Sequence, residues 1–263
     1  MTTDHSQTYY NNPEIWSPAA WQNHAADYER ARLAAEWLPD DARSVLDIGC
    51  GNGVYTNLVD TGRFKVGLDL SRVALQHVTA PRLQANATRL PFAKNSFDAC
   101  ISMEMLEHLP FPIYQSALNE LVRVSRQYIL ITVPYDENLK YHRVVCPECL
   151  CAFHPYHHVR RYQSSDFVTM IGSHYRLVRL NPVVPTRREA FPELWNLIGL
   201  YLHRQGRNYP DGVICPQCSY TPVKNTASTK QVSRIASVRQ SLSKLWPKRT
   251  TFTWWMAFYR SET

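Results

Sequence analysis

The chain has 263 residues, 44% hydrophobic and 19% charged, with a net charge of +7 and a sequence pI near 9.1. That length can bury one generous α/β core plus an insertion, and the ordinary composition excludes a disordered or fibrous chain. No apolar run approaches the ~20 residues that cross a bilayer, and the start Met-Thr-Thr-Asp-His-Ser-Gln lacks the charged-then-apolar pattern of a secretory signal. A cytoplasmic protein is therefore expected, and its seven cysteines argue against a disulfide framework.

In chain order, residues 1–18 are polar and aromatic, with Tyr9, Tyr10, Pro13, Trp16 and Pro18, and read as an irregular arm. Residues 19–38 read as a helix: Trp21, Tyr28, Ala31, Leu33, Ala34 and Trp37 recur at three- and four-residue steps, and Pro39 ends it. Strands are predicted at 44–48 and 65–69. Ser71 is a good N-cap for a helix beginning before Val73. A short strand follows near 81–84, a longer one at 97–103, a helix at about 112–125 and a strand at 128–134. Strands alternating with helices predict a mainly parallel sheet covered on both faces.

Past residue 140 the pattern is less regular. Residues 141–160 are rich in Cys, His, Pro and Tyr. Ser164, Ser165 and Asp166 predict a helix start, with the helix reaching about His174, and 175–180 a strand. Residues 191–204 and 229–246 read as helices, 206–227 as loop, and 251–259 as an edge or hairpin strand. No internal repeat is found. Late basic residues, among them Arg187, Arg188, Lys244, Lys248 and Arg249, read as a solvated helix and linker, or as a surface that follows nucleic acid.

The most informative stretch is residues 45–53, Val-Leu-Asp-Ile-Gly-Cys-Gly-Asn-Gly. An apolar run stops at Asp47 and turns into glycines that let the backbone turn sharply and approach a ligand. A helix N-terminus is expected to follow, with its amides facing that ligand. Sixteen residues after Gly53, a second apolar run ends at Asp69. A carboxylate at the end of a second parallel strand is placed to accept both ribose hydroxyls of a nucleoside. An adenosine-containing cofactor is the expected ligand.

A dinucleotide site would want G-x-G-x-x-G. Here the spacing is G-x-G-x-G, preceded by Asp47, which resembles motif I of the class I S-adenosylmethionine-dependent methyltransferases. The resemblance continues through Gly67-Leu68-Asp69-Leu70-Ser71, through Leu90 to Asp98, and through Glu107-His108-Leu109, and covers roughly residues 30–135. Together these segments look like the small-molecule, type 11-like branch. The resemblance implies a Rossmann-like α/β fold, a seven-stranded mainly parallel sheet with helices on both faces. It implies that Asp47, Gly49 and Gly51 hold the methionine end of S-adenosylmethionine and Asp69 the ribose. Cys50 belongs to the same loop, with a side chain that reads as packing. Leu70 would pack on adenine, and Asn86 and Ala87 occupy the place where the family has an Asp facing the adenine amino group. Asn86 departs from that pattern, though its amide oxygen can still accept. Met103 would line the methyl-transfer pocket.

Cys146-Pro147-Glu148-Cys149 and Cys215-Pro216-Gln217-Cys218 are two C-P-x-C pairs separated by sixty-five residues. Four thiolates suit a tetrahedral Zn²⁺ with no open position, hence a structural ion. A local set using Cys151 or His154 competes, as do four buried free thiols. If real, the site staples one insertion to another. The expected organisation is a lid of arm and helix at 1–43, a cofactor core at 44–140, and a remainder at 141–263 that carries the zinc-binding and helical insertions. Residues 186–250 read as an insertion over the substrate mouth.

Methyl transfer needs mainly alignment of acceptor and methyl, which can supply ~7–11 kcal/mol of the barrier. A high-pKa acceptor also needs a base, for which His108 is the candidate; Glu107-His108 ordering the loop is the competing reading. His154, His157, His158, Tyr9 or Tyr10 could also reach the mouth. The expected function is methylation of a small biosynthetic molecule on O, N or C. An RNA or other nucleic-acid methyltransferase and a non-catalytic cofactor-binding protein remain alternatives. The end of the fourth strand, Ser102-Met103-Glu104-Met105, lacks the Asn/Asp-Pro-Pro-aromatic motif of base amino methylases.

Overall fold

Val45, Leu46 and Ile48 are buried because their strand, β1 (Ser44–Ile48), lies inside a sheet with a neighbour on each side. A strand buried on both faces reads as a continuous apolar run rather than an alternation. The computed structural model describes residues 9–16, 25–58, 62–140, 143–190, 213–221, 245 and 247–262. Two short segments come first in the chain, α1 (Pro13–Trp16) and α2 (Ala25–Trp37). After β1 follow α3 (Val54–Leu58), β2 (Phe64–Asp69), α4 (Arg72–Leu75), β3 (Arg82–Gln84), β4 (Phe97–Met103), α5 (Ile113–Val124) and β5 (Ser125–Pro134). A two-residue pairing of β6 (Val144–Val145) with β7 (Ala152–Phe153) stands apart. Then come α6 (Asp166–Thr169), β8 (Tyr175–Glu189) and β9 (Lys248–Ser261).

The seven-stranded sheet has the order β3-β2-β1-β4-β5-β9-β8. β1 to β5 are parallel to their neighbours, and β9 runs antiparallel between β5 and β8. One face is covered by α5, whose Tyr114, Leu118 and Leu121 join Leu46, Ile129, Ile131 and Phe167. The other is covered by α2, through Ala31, Ala34 and Trp37 against Val45, Ile101, Leu130 and Met256. The predicted Rossmann-like sheet with helices on both faces is what forms. Strand order reverses between β1 and β4, and ligands in such sheets bind outside the carboxyl ends at that point. Gly49 to Gly53, Asp69, Glu104 to His108 and Glu137 all leave the sheet at that edge. A polar hollow bounded by Asp41, Gln127, Arg176 and Arg260 lies at the opposite edge.

Several expectations need correction. The arm is not wholly irregular, since it holds α1. The helix expected through His174 is four residues long: Gly172 sits at φ 79, and Ser165 makes no side-chain cap, while Asp166 instead accepts the amide of Gln163 at 2.7 Å. β8 runs on to Glu189 through Pro182 and Pro185. It is an edge strand, where a proline's missing N–H need not break a ladder. β9 likewise begins at Lys248, so the predicted insertion narrows to the chain between Glu189 and Lys248. The helices expected at 191–204 and 229–246, and Trp21 in the first helix, fall outside the described residues, Leu245 apart. Among the described residues no helix is long and apolar enough to cross a membrane.

Leu46 is fully buried in the first of these cores. Leu46→Ala is expected to cost about 2–5 kcal/mol of stability. Urea unfolding should show it as a lower midpoint at unchanged slope.

Candidate active site

The loop after β1 is fixed by backbone geometry. The amides of Gly49 and Cys50 both donate to the carbonyl of Leu68, at 2.7 and 3.0 Å. Gly49 and Gly51 have φ of 76 and 56, a region side chains disfavour, and both are crowded. A Cβ at Gly49 would lie 2.5 Å from Met105, and one at Gly51 2.8 Å from the ring of Trp16. The side chain of Cys50 points away from this surface and packs with Leu75 and Val78.

Asp69 ends β2 and faces the loop. One carboxylate oxygen accepts the amide of Gly51 at 2.8 Å and the other the amide of Ser71 at 2.7 Å. Each oxygen keeps lone-pair capacity for a further donor. Burial raises the Asp69 pKa, and the amides of Ser71, Gly51 and Leu70 oppose that rise. Ser71 caps α4 as expected, accepting the Ala74 amide at 3.1 Å. Asp47 is buried and accepts the Thr56 hydroxyl at 2.8 Å, while its other oxygen has no partner. Burial pushes the Asp47 carboxyl up to about 7 against the pull of Thr56.

The other expected cofactor residues lie around this pair. Leu70 is exposed, as a side chain meant for a planar ligand face must be. Ala87 is half-buried, and Met103 ends β4 against the α2 face of the core. Asn86 accepts both the amide and the hydroxyl of Thr88 at 2.9 Å. An adenine amino group donating to that oxygen therefore competes with Thr88. Glycines at a close-approach turn and a carboxylate with spare capacity at the next strand fit S-adenosylmethionine.

The arm covers this edge. The carbonyl of Tyr10 accepts both the Trp16 indole N–H and the Ser71 hydroxyl at 2.6 Å. The Tyr10 ring meets His108 edge-on at 5.7 Å, and Tyr9 stacks on His157 at 4.1 Å.

Beside the arm sits a buried group of acids and imidazoles. Glu104 has φ 57, a strained backbone for a residue with a Cβ, of the kind found at functional sites. Its carboxylate lies 3.7 Å from Arg30, which also pairs with Asp27 at 2.9 Å and lies over Trp254. Burial pushes Glu104 up to about 8 against Arg30. Glu107 has no exposed surface, and neither carboxylate oxygen has a hydrogen-bond partner. Burial, then the neighbouring Glu104, pushes it well above the carboxylate range. His108 is held well below the usual imidazole value, by burial first and then by His158 and His157. Glu137, from the segment after β5, lies 2.6 Å from His158 Nδ1 and 3.4 Å from His154 Nε2. Despite burial, these imidazoles hold it well below the carboxylate range. The backbone ties this group together, since Val159 donates to the carbonyl of Glu107 at 2.9 Å.

His108 therefore reaches the expected place, but its low proton affinity makes it a weak base. Arg30, Glu104 and Glu137 carried no signal in the sequence. Each comes from a different element and meets the others only through the fold.

The two C-P-x-C pairs converge. Sγ of Cys146 lies 3.6 Å from that of Cys218, and Sγ of Cys149 lies 3.5 Å from that of Cys215. All four sulfurs fall within 4.8 Å of one another. Sulfurs at ~2.3 Å around a tetrahedral ion stand about 3.8 Å apart. Both knuckles have the same backbone design. Cys146 donates to Cys151 and receives from Leu150; Cys215 donates to Tyr220 and receives from Ser219. Leu150 and Ser219 occupy the same left-handed position, φ 58 and 60. Cys151 packs beside the group without joining the four sulfurs, and His154 faces Glu137.

Residues 46–128 match the family described as a methyltransferase domain. The chain is 37% identical over 114 residues to the tRNA (carboxymethyluridine(34)-5-O)-methyltransferase of Arabidopsis thaliana, covering 41% of this chain and 28% of the relative. It is 26% identical over 159 residues to the ubiquinone biosynthesis O-methyltransferase of Albidiferax ferrireducens, covering 46% and 63%. The chain thus spans less than two thirds of the length of these relatives. In fold it is similar to a chain of the solved complex between the Haloferax volcanii Trm112 methyltransferase activator and a methyltransferase. The TM-score there is 0.56 at 13% identity, with 100% of this chain and 98% of that one covered. Residues 46–128 carry the sequence pattern of a methyltransferase domain, on a sheet of the kind that methyltransferase structures share.

Proposed function

We propose that the chain is an S-adenosylmethionine-dependent methyltransferase whose acceptor is a small molecule. The observation that carries this is Asp69, held by the Gly51 and Ser71 amides with capacity for two ribose hydroxyls, beneath an aromatic arm. When bound, S-adenosylmethionine supplies an electrophilic methyl on a sulfonium. The residues of the chain then do three things. Asp69 and the amides beside it orient the cofactor. Asp47, through Thr56, braces the glycine loop. Tyr9, Tyr10 and Trp16 close the edge of the sheet against water, which favours an acceptor small enough to be enclosed. His108 acts here as a neutral wall residue that positions the acceptor rather than as its base.

We further propose that Cys146, Cys149, Cys215 and Cys218 hold a structural zinc ion, supported by the matching knuckles and sulfur spacings. The lid then comprises residues 1–43, the cofactor core 44–140, and the zinc-stapled remainder 141–263.

A second reading, RNA methylation, draws on the match to the Arabidopsis tRNA methyltransferase. It also draws on the basic residues Arg187, Arg188, Lys248 and Arg249 at the far end of the β8–β9 ladder. Two measurements separate the readings. Deleting residues 1–18 should reduce turnover of a small acceptor more than cofactor affinity, since the arm mainly excludes water. A gel-shift series over salt should show only weak binding to RNA, without methyl incorporation. Tight binding that falls steeply with salt, together with incorporation into RNA, would replace the small-molecule reading.

A further inference from the structure

We propose that Glu107, His108 and His158 form a second, three-ligand site for a divalent transition-metal ion, with Glu137 holding His158 in place. The ion's existence stands on these residues alone; its position on the acceptor side of the cleft rests on the methyltransferase reading above.

The donor atoms of Glu107, His108 and His158 lie within 4.8 Å of one another. His108 Nε2 and a Glu107 oxygen are 3.9 Å apart. Tetrahedral ligands at ~2.0–2.2 Å from one ion stand about 3.3–3.6 Å apart, so side-chain shifts of up to about 1 Å close the site. Glu107 supplies the independent argument. It is completely buried, and both its oxygens lack a hydrogen-bond partner. A buried carboxylate in that condition is costly unless it is protonated, paired or bound to a metal. The nearby cation Arg30 pairs with Asp27 at 2.9 Å and Glu104 at 3.7 Å, and makes no hydrogen bond to Glu107. A further acid, Glu104, makes the pocket more favourable still for a positive ion.

His158 has the orientation that metal-bound imidazoles show. Its Nδ1 is 2.6 Å from Glu137, which leaves Nε2 for the ion. Ligating histidines almost always give their other nitrogen to a carboxylate or carbonyl in this way. Glu137 also lies 3.4 Å from His154 Nε2, so it belongs to the support and not to the ligand set. Two imidazoles and one carboxylate suit a first-row ion such as Zn²⁺ or Fe²⁺, and three protein ligands leave positions open. An acceptor oxygen or nitrogen bound there would lose its proton more readily.

The test is a Co²⁺ titration of the metal-free full chain, followed by absorption. Wild-type protein should bind two equivalents, one with strong sulfur-to-cobalt charge transfer and one with the weak visible bands of nitrogen and oxygen ligands. Cys215→Ser should remove the first signature. Glu107→Gln and His158→Ala should remove only the second. Glu137→Gln should weaken the second by about 10- to 100-fold. A wild-type chain that binds only the thiolate-type equivalent overturns the site, whether or not any variant folds. So does a Glu107→Gln chain that still binds both. Calorimetry with S-adenosylhomocysteine runs in parallel: two metal equivalents without cofactor binding would keep the metal site and end the methyltransferase reading, and the converse would do the opposite.

Discussion

Asp69→Ala is expected to weaken binding of S-adenosylhomocysteine by about 1.5–3 kcal/mol, roughly 10- to 150-fold. The lost group is charged, half-buried and positioned to receive two hydroxyls. It also accepts the amides of Gly51 and Ser71, so its removal leaves one donor of the glycine loop and one at the α4 cap without partners. The loop contribution can be separated from the ribose contribution. A cofactor analogue lacking the 2′-hydroxyl should bind wild-type protein less well but bind Asp69→Ala no worse than the parent compound. Unchanged affinity in a folded Asp69→Ala protein would end the ribose assignment. Equal losses for both compounds in the variant, with no penalty for the analogue in wild type, would assign Asp69 to the loop alone.

Asp69 was legible in the sequence because its signal is local: an apolar strand, then an acid, at a fixed distance from a glycine loop. The same holds for Gly49, Gly51 and the Ser71 cap, whose roles depend on backbone positions a few residues away. The parallel strands were legible for the same reason, since Val45-Leu46 and Ile129 to Ile131 are apolar on both faces. β8 was legible only as far as Leu180, because Pro182 and Pro185 look like strand breakers until the strand is known to lie at an edge. The four-residue α6 was overestimated because Ser164 and Ser165 imitate a cap that the structure does not use. The acid and imidazole group was legible least. Glu107 and His108 stood in a recognisable segment, but Arg30 comes from α2, Glu137 from the chain after β5, and His158 from the turn beyond β7. Only their convergence gives them chemistry, and no spacing along the chain records it. The two cysteine pairs stand between these cases. Each knuckle is a local pattern, whereas their meeting across sixty-five residues is not.

That meeting has a consequence for the active site, and Cys215→Ser is expected to reveal it. With one ligand gone, the zinc proposed for the cysteine set should be lost, and the segments that carry the knuckles, about 140–160 and 213–221, should loosen before the sheet does. Structural zinc sites of this type contribute about 10–16 kcal/mol of apparent binding free energy to the segments they order. The sheet does not depend on it, since its two cores are built from β1, β2, β4, β5, β9 and their helices. Limited proteolysis should therefore cut first within about 140–160 or 213–221, with the sheet surviving. The effect should nevertheless reach the acceptor side. The ring of His157 bonds the carbonyl of Ile214, next to Cys215, at 2.9 Å, and Tyr9 stacks on that same ring. One residue further on, His158 meets His108, with ring centroids 4.7 Å apart. Losing the second knuckle removes the anchor of His157 and, through Tyr9, one support of the arm. Displacements of about 1 Å at a reacting centre can cost on the order of 10²-fold in rate. Turnover should thus fall by about that factor, while S-adenosylhomocysteine affinity, which we assign by proposal to Asp69 and the glycine loop, changes little. Elemental analysis of protein purified without chelator tests the premise, and absence of zinc there would remove it. If Cys151→Ser releases the metal while Cys215→Ser retains it, the ion belongs to the local cysteines. The coupling from the second knuckle to the arm would then have no basis.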